Sequence, residues 1–332
     1  GVGPLPFNIS DGIRWSAQIA YLNDCKSRSN LTIMGDSLAH RVLIEDGRAF
    51  GVEVERGDEI SRIYGKEVIV SAGAIASPQL LMLSGIGPAH GLEAVGALVV
   101  HDLPGVGRNL WDHPQVPVTF KTVGDPRVDE GAPRLQVGLL YTASGSELRN
   151  DMFIASTAFT SHIASEDAVA PESHVLSLIP SVYLARSLGH IRLQSTNPHQ
   201  QPYIDFNYLA DSSDRARLRD GVRLCTELGA RNEFGALVEG RVHPDDHQLN
   251  SDDSLDDWMA RNVRTSHHAA GTCKMGPASD RMAVVDQHGK VHGIDGLRVA
   301  DASIMPSGVR ANTHLSSVVV GERIADFIAQ AL

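Results

Sequence analysis

Two histidine-bearing loops in this chain have the residue types that proton chemistry needs. The first is His267–Gly276, HHAAGTCKMG, preceded by Arg264-Thr265-Ser266. The second is Leu297–Ser316, LRVADASIMPSGVRANTHLS, with His314 near its end. A histidine set among Ala, Gly and Thr does not simply fill a core, and imidazole titrates closest to neutral pH. Each could exchange a proton with a substrate. Each could equally cap a helix or face solvent. A third segment, Gly73–Gly87 (GAIASPQLLMLSGIG), follows the β-branched run Glu67–Ala72. Glycine there lets the main chain approach a ligand closely. A helix opening near Ser77, with Pro78 in its first turn, would offer free N–H groups to an anion. A strand–glycine–helix turn is common in α/β proteins, so this segment also fits a purely structural turn.

Bulk properties narrow the classes. The 332 residues are 42% hydrophobic and 21% charged, ordinary values for a globular protein with a sizeable core. The net charge of -11 argues against a nucleic-acid partner, whose phosphates need local excess of Lys and Arg. No apolar run reaches the roughly 18 residues that a membrane helix needs, and no signal-like segment opens the chain. Cys25, Cys225 and Cys273 are too few and too scattered for a zinc site or disulfide framework. They read as reduced thiols in the cytoplasm, with no metal site expected. Residue 1 is Gly, not Met, so the chain is expected to start after processing or inside a longer product.

The elements that must position the loops are legible in outline. His40–Glu45 and Ala49–Glu55 alternate around Asp46-Gly47, a strong hairpin pattern. Glu67–Ala72 reads as a buried strand and Leu297–Ala300 as another. Asn30–Gly35 (NLTIMG) is a short strand candidate. From Val116 the texture changes: Val116–Lys121, Leu135–Tyr141 and His190–Ser195 alternate as a separate sheet would. Arg215–Leu228 is patterned as a helix, Ser316–Ala331 as an amphipathic closing helix. Gly124–Gly131 reads as an exposed loop. The expected organisation is interleaved, with residues 1–115 and 258–332 forming one α/β domain around an α+β domain at 116–257.

Taken together, the three segments resemble the glucose–methanol–choline (GMC) oxidoreductase family. Gly73–Gly87 is similar to that family's second signature. His268-Ala269-Ala270-Gly271-Thr272 resembles its His-x-x-Gly-Thr, and Asp301–Pro306 with Asn312-Thr313-His314 resembles its closing cofactor segment. Gly105–His113 (GVGRNLWDH), Ile191–Leu209 and Gly12–Leu22 match as well, all in the family's order. One part departs. The family's strand–GxGxxG–helix unit, which holds the ADP side of FAD, is absent from these residues. The implied fold is therefore an incomplete, Rossmann-like FAD-binding domain lacking its N-terminal unit, joined to a substrate domain with an antiparallel sheet. A companion chain or segment carrying the fingerprint is an implied partner.

The resemblance also implies roles. His268, at the motif's spacing from Gly271-Thr272, would be the base, and His267 its neighbour. His314 would orient the substrate, at a position where some relatives carry asparagine. FAD would meet the Val42 backbone at its adenine edge and Ala72, Gly73 and Ser77 along the dinucleotide. It would meet Asp301 and Ala302 near the pyrophosphate and ribityl chain, and Thr313 beside the flavin ring. The implied reaction is oxidation of a small-molecule alcohol, with dioxygen or another acceptor reoxidising the flavin. Alternatives on the same scaffold are a hydroxynitrile lyase with structural FAD, a light-driven decarboxylase, or a non-catalytic partner subunit. The remaining histidines, including His40, His113 and His199, have no assigned role.

Overall fold

The computed structural model describes residues 1–124, 135–157 and 175–331. The loop expected over 124–131 lies outside the described residues beyond Gly124. The chain opens with β1 (Val2–Pro4), followed by a three-stranded antiparallel meander of β2 (Leu38–Glu45), β3 (Arg48–Arg56) and β4 (Glu59–Tyr64). Asp46 and Gly47 take φ of 48° and 74°, as the tight hairpin turn between β2 and β3 demands. No residue from 1 to 37 is buried. The strand expected at Asn30–Gly35 does not form: Ile33 is 58% exposed, Met34 is 41% exposed, and the segment joins no ladder among the described residues.

Next come β5 (Val68–Val70) and α1 (Gly73–Leu83). β5 pairs in parallel with a strand near the other end of the chain, described below. Such a pairing needs a long crossover, and here it encloses the second part of the molecule.

That part is built on β6 (Val118–Thr122), β7 (Val137–Tyr141), β8 (Met152–Thr157) and β9 (Val175–Val182). β10 (His190–Arg192) and β11 (Tyr203–Asp205) form a separate pair, and α2 (Ser212–Gly229), β12 (Val238–His243) and α3 (Asp252–Asn262) follow. The large sheet is antiparallel throughout in the order β1-β7-β8-β9-β6-β12. β1 thus lies in this sheet, although its residues precede the expected boundary at 115. α2 and α3 cover the sheet with Leu218, Val222, Leu255 and Trp258, all buried. The chain then returns through β13 (Leu297–Val299), the partner of β5, and closes with α4 (Thr313–Ala331).

Among the described residues two large apolar cores form, with smaller clusters around Trp111 and Tyr183. One gathers β2, β3, β5, α1 and residues 273–304; the other fills the space under the antiparallel sheet. No described helix is long and apolar enough to cross a membrane.

Helix α1 departs from the sequence expectation. It begins at Gly73, four residues before Ser77, so Pro78 lies inside it. Proline has no N–H to donate to the carbonyl four residues earlier, that of Ala74. The Thr272 hydroxyl donates to this carbonyl instead, at 2.6 Å, and Thr272 is fully buried. The defect in α1 is therefore the socket for the histidine-bearing loop.

Thr272→Val is expected to destabilise the fold by about 1–3 kcal/mol, because the Ala74 carbonyl is left buried and unpaired. In a Pro78→Ala background the helix supplies its own N–H, so the same substitution should cost less. Chemical denaturation of the four variants checks this, and equal costs in the two backgrounds would contradict it.

Candidate active site

The loop that bears His268 is organised by a carboxylate the sequence reading did not single out. Residues 109–113 and 268–271 run antiparallel: Trp111 and Ala270 exchange both backbone hydrogen bonds, at 3.1 and 3.0 Å. This places Asp112, 3% exposed, beneath the loop. Its carboxylate accepts the backbone N–H groups of His113 at 2.7 Å and His268 at 3.0 Å. It also accepts hydroxyls from Tyr208, Thr265 and Ser266. A buried carboxylate is tolerated when donors surround it in this way. The Thr265 oxygen in turn accepts the His267 N–H at 2.8 Å. His267 takes φ 64°, a left-handed conformation that costs a side-chain-bearing residue roughly 1–2 kcal/mol. The exposed His267 is thus the turn, and the half-buried His268 is what the turn delivers.

Glycine 271 completes the loop for steric reasons. Its φ is 89°, and a Cβ there would stand 2.5 Å from the Asn109 carbonyl oxygen and 2.6 Å from the Trp111 indole. Beyond it the chain is clamped on its other side, with Gly271 N–H donating to the Ala302 carbonyl and Cys273 N–H to that of Ser303. Cys273 is fully enclosed, and burial pushes its thiol pKa up, which suits a packing role.

The protonation pattern at His268 follows from its partners. The buried His113 has its Nε2 3.0 Å from the Val309 carbonyl oxygen and its Nδ1 3.0 Å from His268 Nδ1. A carbonyl only accepts, so His113 Nε2 carries hydrogen. Burial, with the His268 ring adding to it and Asp112 and Val309 opposing, pulls the His113 pKa down to about 4. Near neutral pH His113 is therefore uncharged, and its Nδ1 is a lone pair. His268 Nδ1 must be the donor between them. Ser266 Oγ, 3.0 Å from the same nitrogen and already donating to Asp112, is a second acceptor for that hydrogen. The remaining nitrogen of His268, Nε2, is left as a lone pair. Burial holds the His268 pKa below the usual range against the pull of Asp112, and His267 lowers it further. The ring is thus an unprotonated base near neutral pH.

His314 is held differently. It stands exposed in the first turn of α4, and among the described residues it makes no hydrogen bond, ion pair or ring contact with His268. The segment before it is tied to the site. The Tyr183 ring stacks on His113 at 4.2 Å between centroids, and its hydroxyl donates to Asn312 Oδ1 at 3.0 Å. Thr313 is buried.

The other residues expected to line a cofactor form one cluster, except for Val42. The Asp301 carboxylate accepts from Gly73 N–H at 2.9 Å, Ser77 Oγ at 2.5 Å and Ser303 N–H at 2.7 Å. Ser77 Oγ also accepts the Ala72 N–H at 3.0 Å. The Gly73 N–H at the α1 terminus is thus taken by Asp301. Ser77 and Asp301 lie beneath, while Ala72, Gly73 and Ala302 present small, accessible surfaces above them. A Cβ on Gly73, whose φ is 86°, would meet nothing within 4 Å. Val42 sits at the other end of α1, where its N–H donates to Ser84 Oγ at 2.8 Å. Eleven residues of helix separate the two ends, about 16 Å.

His113 was given no role from sequence, although it ends the Trp111-Asp112-His113 run within a recognised segment. Its depressed pKa has a consequence for stability. Below about 6.5 the unfolded chain takes up a proton that folded His113 refuses until about 4. Its contribution is therefore complete above pH 6.5 and is lost as pH falls toward 4. That contribution is on the order of 3 kcal/mol. Unfolding free energy measured across this window should decline less steeply in a His113→Asn variant than in the parent; parallel declines would contradict the assignment.

Comparison with known proteins agrees with this architecture. Two family models, both described as GMC oxidoreductase, match residues 1–115 and 185–321. The oxygen-dependent choline dehydrogenase of Photobacterium profundum is 34% identical over 99% of this chain and 61% of its own length. That of Brucella anthropi is 36% identical over 99% of this chain and 63% of its own. Among solved structures, pyridoxine 4-oxidase from Mesorbium loti superposes with a TM-score of 0.92 at 31% identity, covering 99% of this chain and 64% of that one. Formate oxidase superposes with a TM-score of 0.87 at 26% identity, covering 97% and 64%. The chain thus spans somewhat less than two thirds of each of these relatives. With both family models matched in order and similarity running along almost its whole length, the chain belongs to the GMC oxidoreductase family.

Proposed function

We propose that this chain carries the catalytic portion of an FAD-dependent oxidoreductase that converts a small-molecule alcohol to its carbonyl. The observation that supports it best is the Nε2 lone pair of His268, left free because Nδ1–H is committed to His113 and Ser266. A base of this kind accepts the hydroxyl proton of an alcohol as the carbon is oxidised. His314 serves as the second polar group that orients the substrate oxygen, raising the fraction of reactive geometry. Its freedom from other partners among the described residues is compatible with that task.

When bound, FAD supplies the hydride acceptor at its flavin N5. The residues of this chain fit such a group. Ala72, Gly73 and Ala302 give it surfaces free of bulky side chains, Asp301 and Ser77 brace those surfaces from below, and Thr313 lies alongside. Gly73, where a Cβ would meet nothing within 4 Å, leaves open space for such a group. At the far end of α1, the Val42 N–H is engaged with Ser84 on the free edge of β2. In a strand the carbonyl of the same residue faces that edge too, which suits an adenine contact. Residues 116–257, with β1 added to their sheet, form the substrate-binding part in this reading, and the rest of 1–115 and 258–332 the cofactor part. A fingerprint-bearing segment or companion chain completes the ADP side, and dioxygen or another acceptor takes the electrons. The three free thiols fit the cytoplasm.

The test is anaerobic reduction of the FAD-loaded protein by alcohols, beginning with choline and pyridoxine, the alcohols in the relatives' names. His268→Ala should slow flavin bleaching by about 10²–10⁴-fold with cofactor content unchanged. Equal bleaching rates in the parent and variant would defeat the assignment. Cyanide release from a cyanohydrin without bleaching would favour a lyase instead.

A further inference from the structure

Away from the His268 loop, three side chains from distant parts of the chain converge. His40 Nε2 lies 2.7 Å and His199 Nε2 2.9 Å from the same oxygen, Oε2 of Glu55. The three ligand atoms all lie within 4.8 Å of one another. His40 comes from β2, Glu55 from β3, and His199 from the segment between β10 and β11. We propose that these residues form a binding site for a divalent transition metal ion of the zinc type.

The backbone prepares the site. Ala39 pairs with Val54 and Arg41 with Glu53, so His40 is the extra residue of a β-bulge. Bulges recur where a strand must re-aim a side chain. The third ligand is also placed beforehand. Gln79 of α1 donates to the Gln200 carbonyl at 2.9 Å, Ser195 Oγ donates to Gln200 Oε1 at 2.6 Å, and His199 N–H donates to Asn197 Oδ1 at 3.0 Å. None of these bonds uses an imidazole.

The donor set selects the metal class. Two imidazole nitrogens and one carboxylate oxygen suit zinc and its first-row neighbours, whereas calcium and magnesium favour all-oxygen shells. Zinc–ligand distances of about 2.0–2.2 Å put neighbouring ligands roughly 3–3.5 Å apart. The present spacings reach that range with small torsional adjustments. His40 and Glu55 are 15% and 25% exposed at the side chain and His199 is 56% exposed, so a fourth position opens to solvent and a water. Nearby, Arg41 of β2 and Arg62 of β4 both pair with Glu53 of β3, a net single positive charge beside the site's own carboxylate. A bound ion would lock the 193–202 segment onto the hairpin at the far end of α1 from the His268 loop. Sequence spacing gave no sign of this, because Glu55 is 15 residues from His40 and 144 from His199.

The experiment uses the tag-free, metal-stripped full chain. Calorimetric titration with zinc ions should show one stoichiometric site, and cobalt ions should give the visible absorption of a four-coordinate centre. His40→Ala, Glu55→Ala and His199→Ala should each weaken binding by more than the roughly 10–100-fold that loss of a supporting partner costs. Zinc should raise the unfolding temperature of the parent but not of the variants. His199→Ala changes only an exposed side chain, so it stays informative if the other variants fold poorly. Absence of stoichiometric binding, or binding that survives all three substitutions, would overturn the proposal.

Discussion

The buried carboxylate of Asp112 is the interaction on which the site depends. A charge at 3% exposure must gather donors, and those available are the hydroxyls and N–H groups of Tyr208, Thr265, Ser266, His113 and His268. Satisfying that one group therefore dictates the path of the 265–268 loop and the left-handed turn at His267. It also draws together three parts of the chain that are far apart in sequence. Tyr208 belongs to the antiparallel-sheet half, while residues 111–113 and 265–268 run where the two halves meet.

The chemistry grows out of the same constraint. Asp112 receives Ser266 and the His268 main chain but does not bond the His268 ring; the ring's Nδ1–H goes to His113 and Ser266. His113 is itself anchored by the Val309 carbonyl, which leaves it no choice of tautomer. Burial then keeps both rings uncharged near neutrality. The outcome is a base presented with its lone pair outward. The nearby loop is held rigid by Gly271, where no Cβ fits, and by Thr272, which fills the place that Pro78 leaves open in α1.

Much of this was legible in the residues, and the gaps have physical causes. The Asp46-Gly47 hairpin, the β5 and β13 strands and helices α2 and α4 follow from period, turn chemistry and apolar patterning, which are local. Of the antiparallel sheet only β6 and β7 were legible; β1, β8, β9 and β12 were not singled out, His190–Ser195 belongs to a separate pair, and the order was hidden because pairing β1 with β7 joins residues more than a hundred positions apart. Asn30–Gly35 has strand-like residues but joins no ladder among the described residues. Pro78 reads as a helix start; tertiary contact with Thr272 makes it a helix interior. Ser77 and Asp301 were singled out one by one; that their side chains bond each other and the Gly73 N–H was not legible, because the contact spans 224 residues of sequence. His113 was passed over because its meaning lies in a contact with His268 across 155 residues of sequence.

The central claim is the protonation state of two rings. Long-range nitrogen–proton correlation spectra of histidine-labelled protein near neutral pH, assigned through His113→Asn and His268→Ala variants, read it directly. The account predicts hydrogen on Nδ1 and a bare Nε2 in His268, with the opposite tautomer in His113. A His268 ring that is cationic, or that carries its hydrogen on Nε2, would contradict it.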